Sequence, residues 1–283
     1  MVEARIRYVC GIVTYDGTDF HGFQVQASVP TIQGTLEAAL DRFCERTTRL
    51  AGAGRTDTGV HASGQVVAVK VAWRHSLEQL QNAWNVHLPP SIVVRGLTDV
   101  PAGFHPRFSA QRRTYRYYVV EDDCTTVGRS PLTDRFALYV PQPLALEAMQ
   151  AATEVLVGEH DFATFGHPTQ GKNTVRHVFA AEWQTVTDSL DPLAHFLPRR
   201  IVLTISANGF LRNMVRNLVG SCLAVGRGEW TVERVADALA ARDRKLSAPP
   251  APPQGLVLEQ VLYPEQFDPW SSVRWNRVAV GPT

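Results

Sequence analysis

Apolar positions along this chain follow two spacings, every second residue in some stretches and every third or fourth in others. Residues 5–15 alternate, with Ile6, Tyr8, Cys10 and Ile12 on one face, which predicts a strand. Residues 31–45 place Ile32, Leu36, Ala39, Leu40 and Phe43 at helical spacing, and Thr31 behind Pro30 supplies an N-cap. A glycine-rich turn at 52–59 leads into a buried strand at 66–71. A second helix at 77–85 stops before Pro89-Pro90, and a strand follows at 92–97.

The second half repeats the theme in different letters. A strand at 114–120 carries three tyrosines, of which Tyr115 and Tyr117 share one face and Tyr118 takes the other. A helix at 144–156 ends at Gly158, and strands at 178–186 and 200–206 predict a hairpin around the loop 188–198. Residues 213–225 put Met214, Leu218, Cys222 and Val225 on one stripe, with Gly226 and Gly228 as stop signals. A helix at 231–242, a proline-rich linker at 248–253 and a last strand at 256–262 complete the order. Strands and helices mix without strict βαβ alternation, so the pattern predicts an α+β protein whose two lobes share one extended sheet. No run of about 18 apolar residues is present, which argues against a membrane span.

With 283 residues there is length for a large core. The 28 basic and 27 acidic residues leave a net charge of +1, an average that argues against a polyanionic partner. Their positions argue otherwise. Between residues 46 and 77 the single carboxylate is Asp57, among Arg46, Arg49, Arg55, Lys70 and Arg74. Residues 100–120, 162–181 and 192–228 contain no acid, and the first of these sets Arg107, Arg112, Arg113 and Arg116 among Phe104, Phe108 and the tyrosines. Any one such stretch is explained by core strand with arginines solvated at its edges. Four together, with interleaved aromatics, suit a polyanion that presents unstacked bases.

The four cysteines, Cys10, Cys44, Cys124 and Cys222, match no zinc or disulfide framework, and the nine histidines show no ligand spacing. The expectation is therefore no metal and a reducing, cytoplasmic compartment. The opening residues Met1-Val2-Glu3-Ala4-Arg5 carry no apolar signal region.

The most unusual stretch surrounds Asp57. Gly52, Gly54 and Gly59 suggest a backbone held close to something, yet no Gly-Lys-Ser/Thr follows and no helix opens directly behind. In an extended segment Arg55 and Asp57 point to the same side, and the guanidinium would lower the carboxyl pKa. An ionised aspartate in a pocket serves as nucleophile or base. Aspartate in a glycine-rich turn also serves simply as a turn former or cap.

Gly52-Ala53-Gly54-Arg55-Thr56-Asp57-Thr58-Gly59-Val60-His61, followed by Gly64-Gln65-Val66-Val67, closely resembles the signature of the TruA family of tRNA pseudouridine synthases. Five further blocks occur in the family's order: Tyr15 to Gln24; Phe104 to Ala110 with Arg113-Thr114-Tyr115-Arg116-Tyr117; Gly158 to Phe165; Asn208 to Gly220; and Ala251 to Leu258. Thr58 and Pro106 stand where alanine is common, and neither carries chemistry.

The resemblance implies the pseudouridine synthase fold, with two α/β lobes sharing an extended, mostly antiparallel sheet around a central cleft. The expected division is 1–105 and 106–265, with a tail at 266–283. It implies isomerisation of uridine to pseudouridine at positions 38, 39 and 40 of the tRNA anticodon stem-loop by a cytoplasmic homodimer, with no cofactor and no metal. By motif position Asp57 is the nucleophile, acting at uracil C6 or at sugar C1′. Tyr115 stacks on the target uracil, Arg55 helps to flip the base out, and Arg216 pairs with Asp57. Phe104, His105, Pro106, Arg107 and Phe108, with Gln170, Gly171, Lys172, Asn173 and Thr174, fall in tRNA-contact segments. Leu256 or Leu258 backs the uracil. The rival readings are a synthase of the same fold acting at other RNA sites, an RNA-binding protein without catalysis, and a metal-dependent nuclease, which the lack of a second carboxylate near Asp57 disfavours.

Overall fold

Two helices lie over the strands of the first lobe and decide which strand face is buried. The computed structural model describes residues 5–101, 103–122, 129–168, 171–186 and 199–270. Strand β1 spans Ile6–Tyr15, and its inward side carries Val9, Val13 and Tyr15, whereas Ile6 is exposed and Tyr8 and Ile12 are half-buried. Helices α1 (Ile32–Leu40) and α2 (Leu77–Val86) meet where the Trp84 indole donates to the Leu36 carbonyl at 3.0 Å. Both residues join Val9 and Val13 in the core. Thr31 caps α1 by accepting from the Gly34 N–H at 3.2 Å. The helix stops at Leu40 rather than at residue 45, and the turn that follows closes with the Phe43 and Cys44 amides on the Leu40 carbonyl. Ser76 and Gln79 form a reciprocal capping box at the start of α2.

The other strands are β2 (Glu45–Arg46), β3 (Ala51–Gly52), β4 (His61–Ala72), β5 (Ile92–Asp99), β6 (Arg112–Glu121), β7 (Leu138–Val140), β8 (Gly158–Asp161), β9 (Val175–Thr185), β10 (Arg199–Ala207) and β11 (Leu256–Leu262). Three further helices, α3 (Leu146–Glu154), α4 (Met214–Gly226) and α5 (Val232–Ala241), belong to the second lobe. The described strands make one 11-stranded sheet with the main order β5-β1-β4-β11-β6-β10-β9-β8. β2 and β3 pair with β4, and β7 with β6. Pairing is antiparallel except at β4–β11 and β6–β7. The expected β9–β10 hairpin pairing is present, while its loop 188–198, Cys124 and the tail beyond 270 lie outside the described residues.

The last strand joins the lobes. β11 runs parallel to β4 at Val257–His61 and Leu258–Ala62, and antiparallel to β6 at Leu258–Tyr115. At this seam a Cβ on Gly64 would stand 2.0 Å from the Glu259 carbonyl oxygen, so the two backbones touch where glycine alone fits. α4 supplies much of the second-lobe core, with Met214, Leu218 and Cys222 on its buried stripe. Among the described residues no helix is long and apolar enough to cross a membrane.

Candidate active site

The loop that carries Asp57 leaves the sheet at β3 and is held from several sides. The Ala53 N–H donates to Val66 at 2.8 Å, the last sheet-like bond before the chain turns away. Gln65, fully buried, brackets Gly54: its side-chain amide donates to the Gly54 carbonyl at 2.9 Å and its Oε1 accepts the Gly54 N–H at 3.2 Å. The Tyr15 hydroxyl meets Thr56 Oγ1 at 2.7 Å. On the far side the Phe23 N–H donates to the Thr56 carbonyl at 3.0 Å. Gly22, at φ 86°, permits that approach, since a Cβ there would lie 2.8 Å from the same oxygen. The Val60 N–H closes the turn on the Asp57 carbonyl at 3.1 Å.

Gln65→Leu should therefore damage the loop more than its size suggests. It leaves both peptide groups of Gly54 without partners, at about 1–3 kcal/mol for each buried group. The expected outcome is a lowered melting temperature together with reduced turnover. An unchanged melting temperature would mean that water replaces Gln65 at no cost.

Asp57 opens into a cleft of about 1390 Å³ between the lobes, which Arg55, Tyr115, Arg212, Arg216 and Leu256 also line. Burial pushes the Asp57 carboxyl up, while the charges of Arg216 and then Arg212, and a hydrogen bond from the Asn213 backbone N–H, act against it. Burial prevails, and the carboxyl pKa is raised from its ordinary value. This corrects the expectation of a lowered pKa set by Arg55. The chain turns at Asp57 instead of running extended, and among the described residues Arg55 and Asp57 form no ion pair. Arg55 is exposed, and its charge bears on Arg107.

Arg216 stands in the first turn of α4 and its Nε donates to the Ala251 carbonyl at 2.7 Å; among the described residues it forms no ion pair with Asp57, so in place of the expected pairing its charge acts from further off. The Ala251 N–H donates back to the Arg216 carbonyl at 2.9 Å, which fixes the arginine against the segment leading to β11. Arg113 staples the lobes together: its Nη2 reaches the Ala53 carbonyl at 3.1 Å and its Nη1 the Asn208 carbonyl at 2.9 Å.

Tyr115 forms part of the cleft floor, with β11 on one side and β10 on the other. It is 8% exposed, and its ring stands edge-on to Phe210 at 5.1 Å and 87°. Burial raises its phenol pKa, so the hydroxyl stays neutral at physiological pH. The face rule holds here: Tyr117 is fully buried, its hydroxyl donating to the Pro252 carbonyl at 2.7 Å, and Tyr118 is half-buried on the other face. Leu256 lines the cleft, whereas Leu258 is buried beneath Gly54.

The residues singled out as tRNA contacts divide by exposure. Phe104 and Pro106 are buried and act as anchors, with their carbonyls accepting from the hydroxyls of Tyr8 and Tyr263 at 3.1 and 2.8 Å. Phe108, by contrast, is 73% exposed at the cleft edge, with His105 stacked on it at 4.5 Å and the Arg107 guanidinium 5.6 Å from its ring centre. Gly171, Lys172 and Asn173 are exposed, Thr174 is half-buried, and of these Asn173 lines the cleft. Gln170 lies outside the described residues. Sequence reasoning missed Arg212, Asn213 and Phe210, although all three sit inside the block from Asn208 to Gly220. Among the described residues no group of three or more His, Cys, Asp or Glu could hold a metal ion.

A family model for tRNA pseudouridine synthase matches residues 12–109 and 152–264. The chain belongs to the tRNA pseudouridine synthase family. Among curated relatives, tRNA pseudouridine synthase A of Chloroflexus aurantiacus is 39% identical over 266 residues, covering 94% of this chain and 92% of its own. That of Azorhizobium caulinodans is 42% identical over 259 residues, covering 90% of this chain and 94% of its own. That of Thermotoga maritima is 34% identical over 259 residues, covering 91% of this chain and all of its own. A solved Cbf5-Nop10-Gar1 complex matches 76% of this chain and 45% of its own at TM-score 0.32 and 12% identity, too distant to bear on the site. As a tRNA pseudouridine synthase the protein is an isomerase, and its α+β sheet is the pseudouridine synthase fold.

Proposed function

We propose that this tRNA pseudouridine synthase isomerises uridines 38, 39 and 40 of the anticodon stem-loop, with Asp57 as the nucleophile. One observation carries the reading: a half-buried carboxylate on one lobe faces Arg216 and Arg212 from the other, above a floor made by Tyr115. A duplex stem cannot deliver a stacked base to such a depth, so the target uridine is flipped into the cleft. The exposed Arg55 and Phe108 and the half-buried Arg107 at its edge suit the backbone and the unstacked neighbours. The ionised Asp57 attacks at uracil C6 or sugar C1′, the N1–C1′ glycosidic bond breaks, the freed uracil turns while Tyr115 and Leu256 hold it, and the bond to Asp57 breaks again to return the free carboxylate. A C5–C1′ bond forms, C5 loses its proton and N1 gains one. No oxidant or reductant enters, so the balance closes on side chains alone. Residues 1–105 and 106–265 act as the two lobes with 266–283 as a tail, in a cytoplasmic homodimer whose subunits share one tRNA.

Loss of the C5 hydrogen gives the test. Unmodified tRNA transcribed with 5-tritiated uridine should release tritium to water, and cytidine at positions 38, 39 and 40 should stop the release. Release that continues from the substituted transcript would move the target elsewhere in the RNA.

A further inference from the structure

Asn213 stands immediately before α4 with φ 62° and ψ 2°, in the left-handed region. A residue at this position is ordinarily extended, and its side chain accepts the free amides of the first turn. Asn213 is not extended, and its side chain makes no capping bond. The Met214 N–H is taken by the Leu211 carbonyl at 3.2 Å and the Asn217 N–H by the Asn213 carbonyl at 2.9 Å. Asn213 lines the same cleft as Asp57, and its backbone N–H, which no intrahelical carbonyl takes, acts on the Asp57 carboxylate of the opposite lobe. The segment in front is locked in place, since Arg212 and His167 exchange backbone hydrogen bonds at 2.9 and 3.3 Å. Arg212 lines the same cleft, and its charge reaches Asp57 second only to that of Arg216.

We infer that Asn213 and Arg212 are positioning residues for the carboxylate: the left-handed turn at Asn213 aims the leading amide of α4 at Asp57, and Arg212 supplies a second cation beside Arg216. The catalytic part of this inference rests on Asp57 being the nucleophile. A 13-residue helix presents its positive end to a carboxylate, and an amide donating to a charged acceptor makes one of the stronger hydrogen bonds. Asn213 suits the task because asparagine tolerates the left-handed region, which β-branched residues resist. The nucleophile is thus gripped by the lobe that does not carry it. The charged and titratable groups lining the cleft with Asp57 include Arg55 from its own loop, His21 from the first-lobe turn, Tyr115 from the floor, and His167, Arg212 and Arg216 from the second lobe.

The test is a carbon-13 titration of the Asp57 carboxyl in the free enzyme, assigned by its loss in Asp57→Asn, together with single-turnover rates across pH. Asn213→Val and Arg212→Gln should both move the titration to higher pH and lower the neutral rate about tenfold to a hundredfold, the worth of a bond to a charged group. Asn213→Gly, which keeps the left-handed turn, and Arg212→Lys, which keeps the charge, should both stay near wild type. An Asp57 titration unmoved by Asn213→Val and Arg212→Gln overturns the inference, even if rates fall. If Asn213→Val does not fold, Arg212→Gln and its lysine rescue decide by the same titration. Full turnover in Asp57→Asn would instead remove the nucleophile reading and leave the titration result standing.

Discussion

Asp57→Asn is expected to abolish pseudouridine formation while tRNA still binds. Asparagine fills the same space, but it is neutral and neither attacks carbon nor takes a proton. The loss should exceed about 10²-fold, the scale of base or covalent catalysis. Tritium release and filter binding, run side by side, check both halves, and turnover within about tenfold of wild type would dismiss the nucleophile. The same variant carries a stability prediction of fixed sign. The Asp57 pKa is raised by folding, so the native state holds the proton more tightly than the unfolded chain. Its contribution therefore favours the fold at low pH. That contribution declines as pH rises through the unfolded value and levels off above the folded one. At neutral pH the ionised carboxylate is a cost, and Asp57→Asn should melt no lower than wild type. Its advantage should shrink as the solution is acidified.

Arg216→Gln should come next in size. Arg216 is the largest charge acting against burial at Asp57, so its removal leaves the carboxylate harder to ionise. The acid limb of the pH–rate profile should move to higher pH, and the neutral rate should fall about a hundredfold, the scale of a two-unit loss of charge stabilisation at the carboxylate. Arg216→Lys should restore much of the limb's position without the Nε bond to Ala251. A variant that kept the acid limb and only reduced the salt dependence of tRNA binding would make Arg216 a phosphate contact.

Periodicity located the long elements well. The strand expected at 256–262 is β11, Leu256–Leu262, and Thr31 caps α1 as its position behind Pro30 suggests. β2, β3, β7 and β8 were not legible, because two to four residues are too few to display a period. β4 begins at His61 and not at residue 66, since Ser63, Gly64 and Gln65 break the apolar run that marks a buried strand. At the site the motif located Asp57, but its electrostatics could not be read locally. Arg212 and Asn213 lie more than a hundred residues further along the chain and reach Asp57 through tertiary placement. Arg55, two residues away, makes no ion pair with it because the chain turns. Phe104 and Pro106 share a motif with Phe108, yet burial separates anchors from exposed surface within five residues.

β11 also imposes an order on biosynthesis. It is the strand that pairs with both β4 and β6, and among the described strands it is the last made. Until the ribosome has completed it, the two halves of the sheet have no common edge, and Tyr115 has no β11 neighbour across from it. A nascent chain can carry a complete Asp57 loop from the synthesis of β4 to that of β11 and still lack the β11 side of its cleft. Competence is thus withheld until β11 has been made and has paired with both halves of the sheet.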